Sequence, residues 1–114
     1  MSGRSRVLSI VAEIVGERAR QDEKWGEPHE VPNGTGPGVT FPGGDTFLEL
    51  RDEIQAIVDA AAPFGASRMS WVLLEEVFEA LAESDDARLR EELIQVAAVA
   101  AKWVQIIDAR AEGS

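Results

Sequence analysis

The chain has no cysteine and a single histidine among its 114 residues. Without cysteine there is no disulfide framework, no thiol nucleophile, and little of the soft donor set that zinc prefers. Basic side chains are also scarce: 11 lysines and arginines stand against 21 aspartates and glutamates, a formal net charge of −10. Such a balance repels a phosphate backbone, so no nucleic-acid partner is expected. No uncharged segment is both long and apolar enough to cross a bilayer, which removes a membrane partner from the expectation. Arg4 and Arg6 followed by Val7 to Val15 superficially match a secretory leader. Glu13 interrupts that run and the pattern continues as a helix, so the cytoplasm is the expected compartment. There is no internal repeat. A chain of this length is expected to form a single domain over residues 1–114, with a modest core.

Proline and glycine are thin elsewhere and dense in one place. The 20 residues from Gly26 to Asp45 hold six glycines and four prolines, which predicts a long loop without regular helix or strand. A loop of that length in so small a domain is expected to be a functional lid or disordered. His29 lies inside it, readable as a solvent-exposed bystander or as a lid residue touching base or phosphate.

The rest of the chain is helical in pattern, and the predicted fold class is all-α with four helices. Arg4 to Lys24 carries the apolar stripe Val7, Ile10, Val11 and Ile14 with no proline to break it. Thr46-Phe47-Leu48-Glu49 fits the reciprocal capping box that opens a helix. Phe47, Leu50, Ile54, Ile57, Val58 and Ala61 supply that helix's apolar face, and Pro63 and Gly65 close it. Ser67 or Ser70 is expected to start the third helix, and Trp71 and Trp103 to pack in the core or at an interface.

The most informative stretch is Ser70 to Asp108. Leu74, Val77, Phe78 and Leu81 form one apolar stripe, and Glu75, Glu76, Glu79 and Glu83 fall on the opposite half of the same helix. Asp85 or Asp86 can cap the next helix. Its Leu93 to Ala101 segment has Gln95 as the only polar side chain, which predicts burial nearly all round and a hydrogen-bonded amide. The turn near Ser84 is short enough to force an antiparallel αα-hairpin. Glu76 and Glu79 are then neighbours on one face and meet Glu92 and Gln95 across the pair. Four oxygen-bearing side chains at one level suit Mg²⁺ or Mn²⁺ rather than zinc. The same glutamates also fit the solvated face of an amphipathic helix.

Cationic and aromatic candidates lie elsewhere. Arg18, Gln21 and Trp25 are spaced i, i+3 and i+7 with Lys24 beside them. Arg18 or Lys24 suits phosphate oxygens and Trp25 suits stacking on a base, while a helix-end Trp also serves as a packing anchor. Lys102 lies two helical turns beyond Gln95 on the same stripe, either in reach of a phosphate or as a surface lysine near a helix end.

The run Glu75-Glu76-Val77-Phe78-Glu79, then twelve residues, then Glu92-Leu93-Ile94-Gln95 resembles the EExxE…ExxD signature of all-α nucleoside triphosphate pyrophosphohydrolases. That superfamily includes MazG, dimeric dUTPases and dCTP pyrophosphatases. The likeness is closest to small MazG-like proteins of actinobacteria and their phages, which carry stretches like Glu17 to Glu27 and like LREELIQVAAVAAKW here. It covers most of the chain and is weakest over Val31 to Thr46. The resemblance implies a four-helix MazG-like bundle with a metal-binding helical hairpin. It also implies Mg²⁺-dependent hydrolysis of a nucleoside triphosphate to monophosphate and pyrophosphate. Under it Glu76, Glu79, Glu92 and Gln95 are metal ligands and Glu75 the catalytic residue that orients or deprotonates water. Arg18, Gln21, Lys24, Trp25 and Lys102 are then the substrate contacts, and a homodimer or homotetramer is expected. Gln95 departs from the family's usual Asp, since an amide oxygen can coordinate Mg²⁺ but brings no charge. A non-catalytic nucleotide-binding or metal-binding module and an acidic helical interaction domain are the alternatives.

Overall fold

Helical periodicity and caps translate directly into the architecture. The computed structural model describes residues 2–26 and 31–113, so His29 lies outside the described residues. Four α-helices follow one another: α1 Gly3–Trp25, α2 Phe47–Ala61, α3 Met69–Leu81 and α4 Asp86–Glu112, with a 3₁₀ turn at Ala62–Phe64 after α2. The regular structure among the described residues is all helical, and their one piece of extended pairing is an isolated antiparallel bridge between Thr40 and Thr46.

Side-chain chemistry sets most boundaries. The Thr46 hydroxyl accepts from the Glu49 backbone N–H while the Glu49 carboxylate accepts from the Thr46 N–H, the reciprocal box expected at the start of α2. After Pro63 the chain turns at Gly65, whose φ of 63° is in the left-handed region that glycine adopts without a steric cost. The Asp85 carboxylate accepts from the Arg88 N–H at 3.0 Å and so caps α4. The start of α3 differs from expectation: Arg68 occupies the cap position without a side-chain hydrogen bond, and neither Ser67 nor Ser70 serves.

Packing divides the chain into two compact units, Gly34–Ala100 and Met1–Asn33 with Ala101–Ser114. In the first, α2 packs against α3. Phe47, Ile54, Ala80 and Leu89 are its buried apolar side chains, and the Phe41 ring meets Phe47 edge-on at 5.0 Å. Burying a side chain the size of phenylalanine or isoleucine stabilises by about 1.5–3 kcal/mol, so Phe47 and Ile54 anchor α2. In the second unit Ile10 is buried, and Arg6, 8% exposed, is ion-paired with Glu112. Of the α1 stripe only Ile10 is covered; Val11 and Ile14 are each 44% exposed.

Two expectations are corrected. The segment Leu93 to Ala101 is not buried nearly all round: Leu93 is 51% and Ile94 56% exposed within the single chain, and Gln95 is exposed as well. Apolar composition states which surface favours cover, whereas one chain with few other helices supplies cover on one side only. The glycine- and proline-rich loop is not structureless from Gly34 onward. The Thr35 hydroxyl donates to the Glu83 carbonyl at 2.7 Å, and the Gly36 N–H donates to the Leu81 carbonyl at 2.9 Å. Further along, the Phe47 N–H donates to the Val39 carbonyl at 2.8 Å. Gly and Pro rule out periodic structure but not docking, and the first two of these bonds occupy carbonyls that the end of α3 and its turn leave free.

Candidate metal centre

The turn from α3 into α4 spans Ala82 to Asp85, short enough to fold the two helices back on each other. Glu76 and Glu79, one turn apart on α3, then face Glu92 on the second turn of α4. One carboxylate oxygen from each of Glu76, Glu79 and Glu92 lies within 4.8 Å of the other two, and all three side chains are half-buried. The i, i+3 spacing and the hairpin together produce this convergence.

Electrostatics record its cost. All three carboxyls are held above the ordinary carboxylate value, with loss of solvent as the first cause in each case. The second cause is the neighbours' negative charge: Glu92 on Glu76, Glu76 on Glu79, and Glu79 on Glu92. Glu75 adds repulsion to Glu76 and Glu79 without joining the trio itself. A group of mutually destabilised carboxylates either keeps a proton or welcomes a cation.

Gln95, expected as a fourth ligand in a buried run, is an exposed amide one turn along α4 from Glu92. An amide open to solvent does not need the internal hydrogen bond expected of a buried one. Arg18, Gln21, Lys24, Trp25 and Lys102 all belong to the other unit. Arg18 donates to the Gln21 side chain at 2.8 Å and to Asp22 at 2.9 Å. Trp25 is 70% exposed, with the Lys24 ammonium 5.1 Å from its ring centre. The groove lined by Leu50, Glu53, Ile54, Ile57 and Phe78, between α2 and α3, contains none of the expected site residues.

Thr35 and Gly36 were not legible as contributors, because their partners lie more than forty positions away in sequence. No protein-family profile, curated protein or solved structure significantly matches the chain. No helix among the described residues is long and apolar enough to cross a membrane.

Proposed function

We propose that the chain hydrolyses a nucleoside triphosphate to the monophosphate and pyrophosphate in a divalent-cation-dependent reaction, as a member of the MazG-like superfamily it resembles. The observation that supports this is the convergence of Glu76, Glu79 and Glu92 to within 4.8 Å. Three half-buried carboxylates form a hard, anionic donor set that fits Mg²⁺ or Mn²⁺, and no cysteine is present to favour a softer metal. Such an ion, when bound, would neutralise phosphate charge and acidify a water. Glu76, Glu79 and Glu92 would hold it, and Gln95 offers an amide oxygen without charge. Glu75, beside the trio on α3, takes the role of orienting a water or accepting its proton while the bond between α- and β-phosphate is broken. Arg18, Lys24 and Lys102 enter this reading as cations suited to phosphate, and Gln21 and Trp25 as contacts to the nucleoside.

Self-association into a dimer or tetramer belongs to the same reading. Val7, Leu8, Val11 and Val15 share one arc of α1, and all are more than a third exposed, with Leu8 at 62% and Val15 at 63%. A contiguous apolar arc of this kind marks an interaction surface more often than free solvent-facing helix. Sedimentation at micromolar concentration checks it, and a monomer throughout would refute it.

A second reading, nucleotide binding without turnover, is favoured by Gln95, an uncharged and exposed side chain one turn from Glu92. Incubation with a mixture of nucleoside triphosphates and Mg²⁺ separates the two. Pyrophosphate release supports the hydrolase. Nucleotide-dependent thermal stabilisation without release supports the binding module, and the absence of both leaves the glutamates as solvated acidic surface.

A further inference from the structure

Three like charges on two helices push the hairpin apart, so something in the unit must oppose them. α2 covers α3, but where Glu92 stands against Glu76 and Glu79 is fixed by the shape of the turn from Ala82 to Asp85. The segment from Gly34 to Thr46 touches that turn. At its start, the Thr35 hydroxyl donates to the Glu83 carbonyl at 2.7 Å and the Gly36 N–H to the Leu81 carbonyl at 2.9 Å. Those acceptors are the last carbonyl of α3 and one within the turn itself. At its other end the segment is fastened to α2. The Phe47 N–H donates to Val39, the Leu48 N–H to Pro37, Thr40 pairs with Thr46, and Phe41 packs on the buried Phe47 ring. Gly36 is buried with φ at 145°, a backbone that side-chain-bearing residues rarely adopt, so its N–H is delivered by a conformation glycine permits.

We propose that residues 34–46 form a strap, not a lid, and that Thr35 is a positioning residue: through Glu83 it holds the α3–α4 turn so that the three carboxylates stay converged before any cation arrives. The inference rests on the reading of that trio as a divalent-cation site. Preorganisation of this kind raises affinity because the cation need not drive the ligands together.

The test uses the full chain and Mn²⁺ alone as probe, with binding followed by electron paramagnetic resonance of the free ion well below the melting midpoint. Thr35→Val keeps the shape and removes the donor; Thr35→Ser keeps the donor. The valine variant is expected to bind Mn²⁺ about fivefold more weakly, the size of one net hydrogen bond of about 1 kcal/mol. The serine variant is expected to restore wild-type binding. Gly36→Ala, which strains the backbone delivering the second bond, is expected to weaken binding in the same direction and serves if Thr35→Val does not fold. Wild-type affinity in Thr35→Val or in Gly36→Ala, or no rescue by serine, overturns the strap. If the wild-type protein itself does not bind Mn²⁺, the cation reading fails, and the strap is judged by amide hydrogen exchange. Faster exchange at Glu83 and Leu89 in Thr35→Val, with Ile54 unchanged, then supports it, and unchanged exchange at the turn overturns it.

Discussion

Replacing Glu79 by Gln removes one of three converged charges while keeping the side chain's size, and its effect on stability should change sign with the metal. Two unit charges about 5 Å apart repel by about 1 kcal/mol in water and about 3 kcal/mol at an effective dielectric of about 20. Glu79 faces both Glu76 and Glu92 and is half-buried, while the raised proton affinities of all three relieve part of the repulsion. A net gain of about 1–2 kcal/mol is therefore expected in chelator, at about 4 °C in Tm for each kcal/mol in a domain of this size. In Mg²⁺ the order should reverse. A wild-type site filled at a hundredfold excess over Kd gains about 2.7 kcal/mol by linkage, and a site with one carboxylate fewer gains less. The assay is four melting curves, wild type and Glu79→Gln, each in chelator and in saturating Mg²⁺. Glu83→Gln is the control, because Glu83 carries the same charge four residues on, in the turn at the hairpin tip and outside the trio. Turnover should be lost in Glu79→Gln and kept in Glu83→Gln. A difference in Tm that is the same with and without Mg²⁺ would refute the metal site, and identical behaviour of the two variants would leave the acidic face without specific chemistry.

Four other outcomes follow from the structure. Because Glu76, Glu79 and Glu92 titrate above their unfolded values, their contribution is fully present below the unfolded pKa and is lost as pH rises through the folded one. Metal-free protein should thus melt higher near the ordinary glutamate value, at about pH 4.5, than at about pH 7.5, and Mg²⁺ should narrow the gap. Glu112 works the other way: the hydrogen bond from Arg6 holds it below the ordinary value, so its contribution is lost as pH falls through that depressed pKa. Below about pH 4.5, therefore, wild-type protein should lose stability on acidification that Glu112→Gln does not have to lose, so the variant's Tm should fall less steeply there. Gln95→Asp adds an anion one turn from Glu92; it should lower Tm in chelator and close that gap in Mg²⁺ if residue 95 reaches the ion, whereas a constant gap excludes it as a ligand. Thr46→Ala should cost about 1 kcal/mol by opening the capping box, measurable as a fall in denaturant midpoint at unchanged slope.

Features governed by neighbours in sequence were the legible ones. Thr46 and Glu49 are three residues apart, Asp85 caps an N–H three residues on, and Gly65 follows Pro63, so each carries its partner close by. The carboxylate trio was legible for a related reason: one i, i+3 pair plus a turn too short for any other path leaves few places for Glu92. Burial is not legible at Leu93 and Ile94, because hydrophobicity records a preference and not the number of helices available to satisfy it. In the segment from Gly34 to Thr46 the absence of helix and strand was legible and the docking was not, because glycine and proline forbid periodicity while saying nothing of distant acceptors. Thr35 finds its acceptor 48 positions away. The start of α3 had no local signal to read, since no side chain caps it.

The fastening of that segment bears on how the gene can change length. Surface connections ordinarily absorb inserted or deleted codons with little consequence, because their ends are free to drift. Here the stretch from Thr35 to Phe47 is pinned at one end to the close of α3 and at the other to the opening of α2. One residue added between Gly36 and Val39 would put either the Glu83 contact or the Phe47 contact out of phase. The most glycine-rich stretch of the chain is accordingly one where reading-frame-preserving insertions should be among the least tolerated.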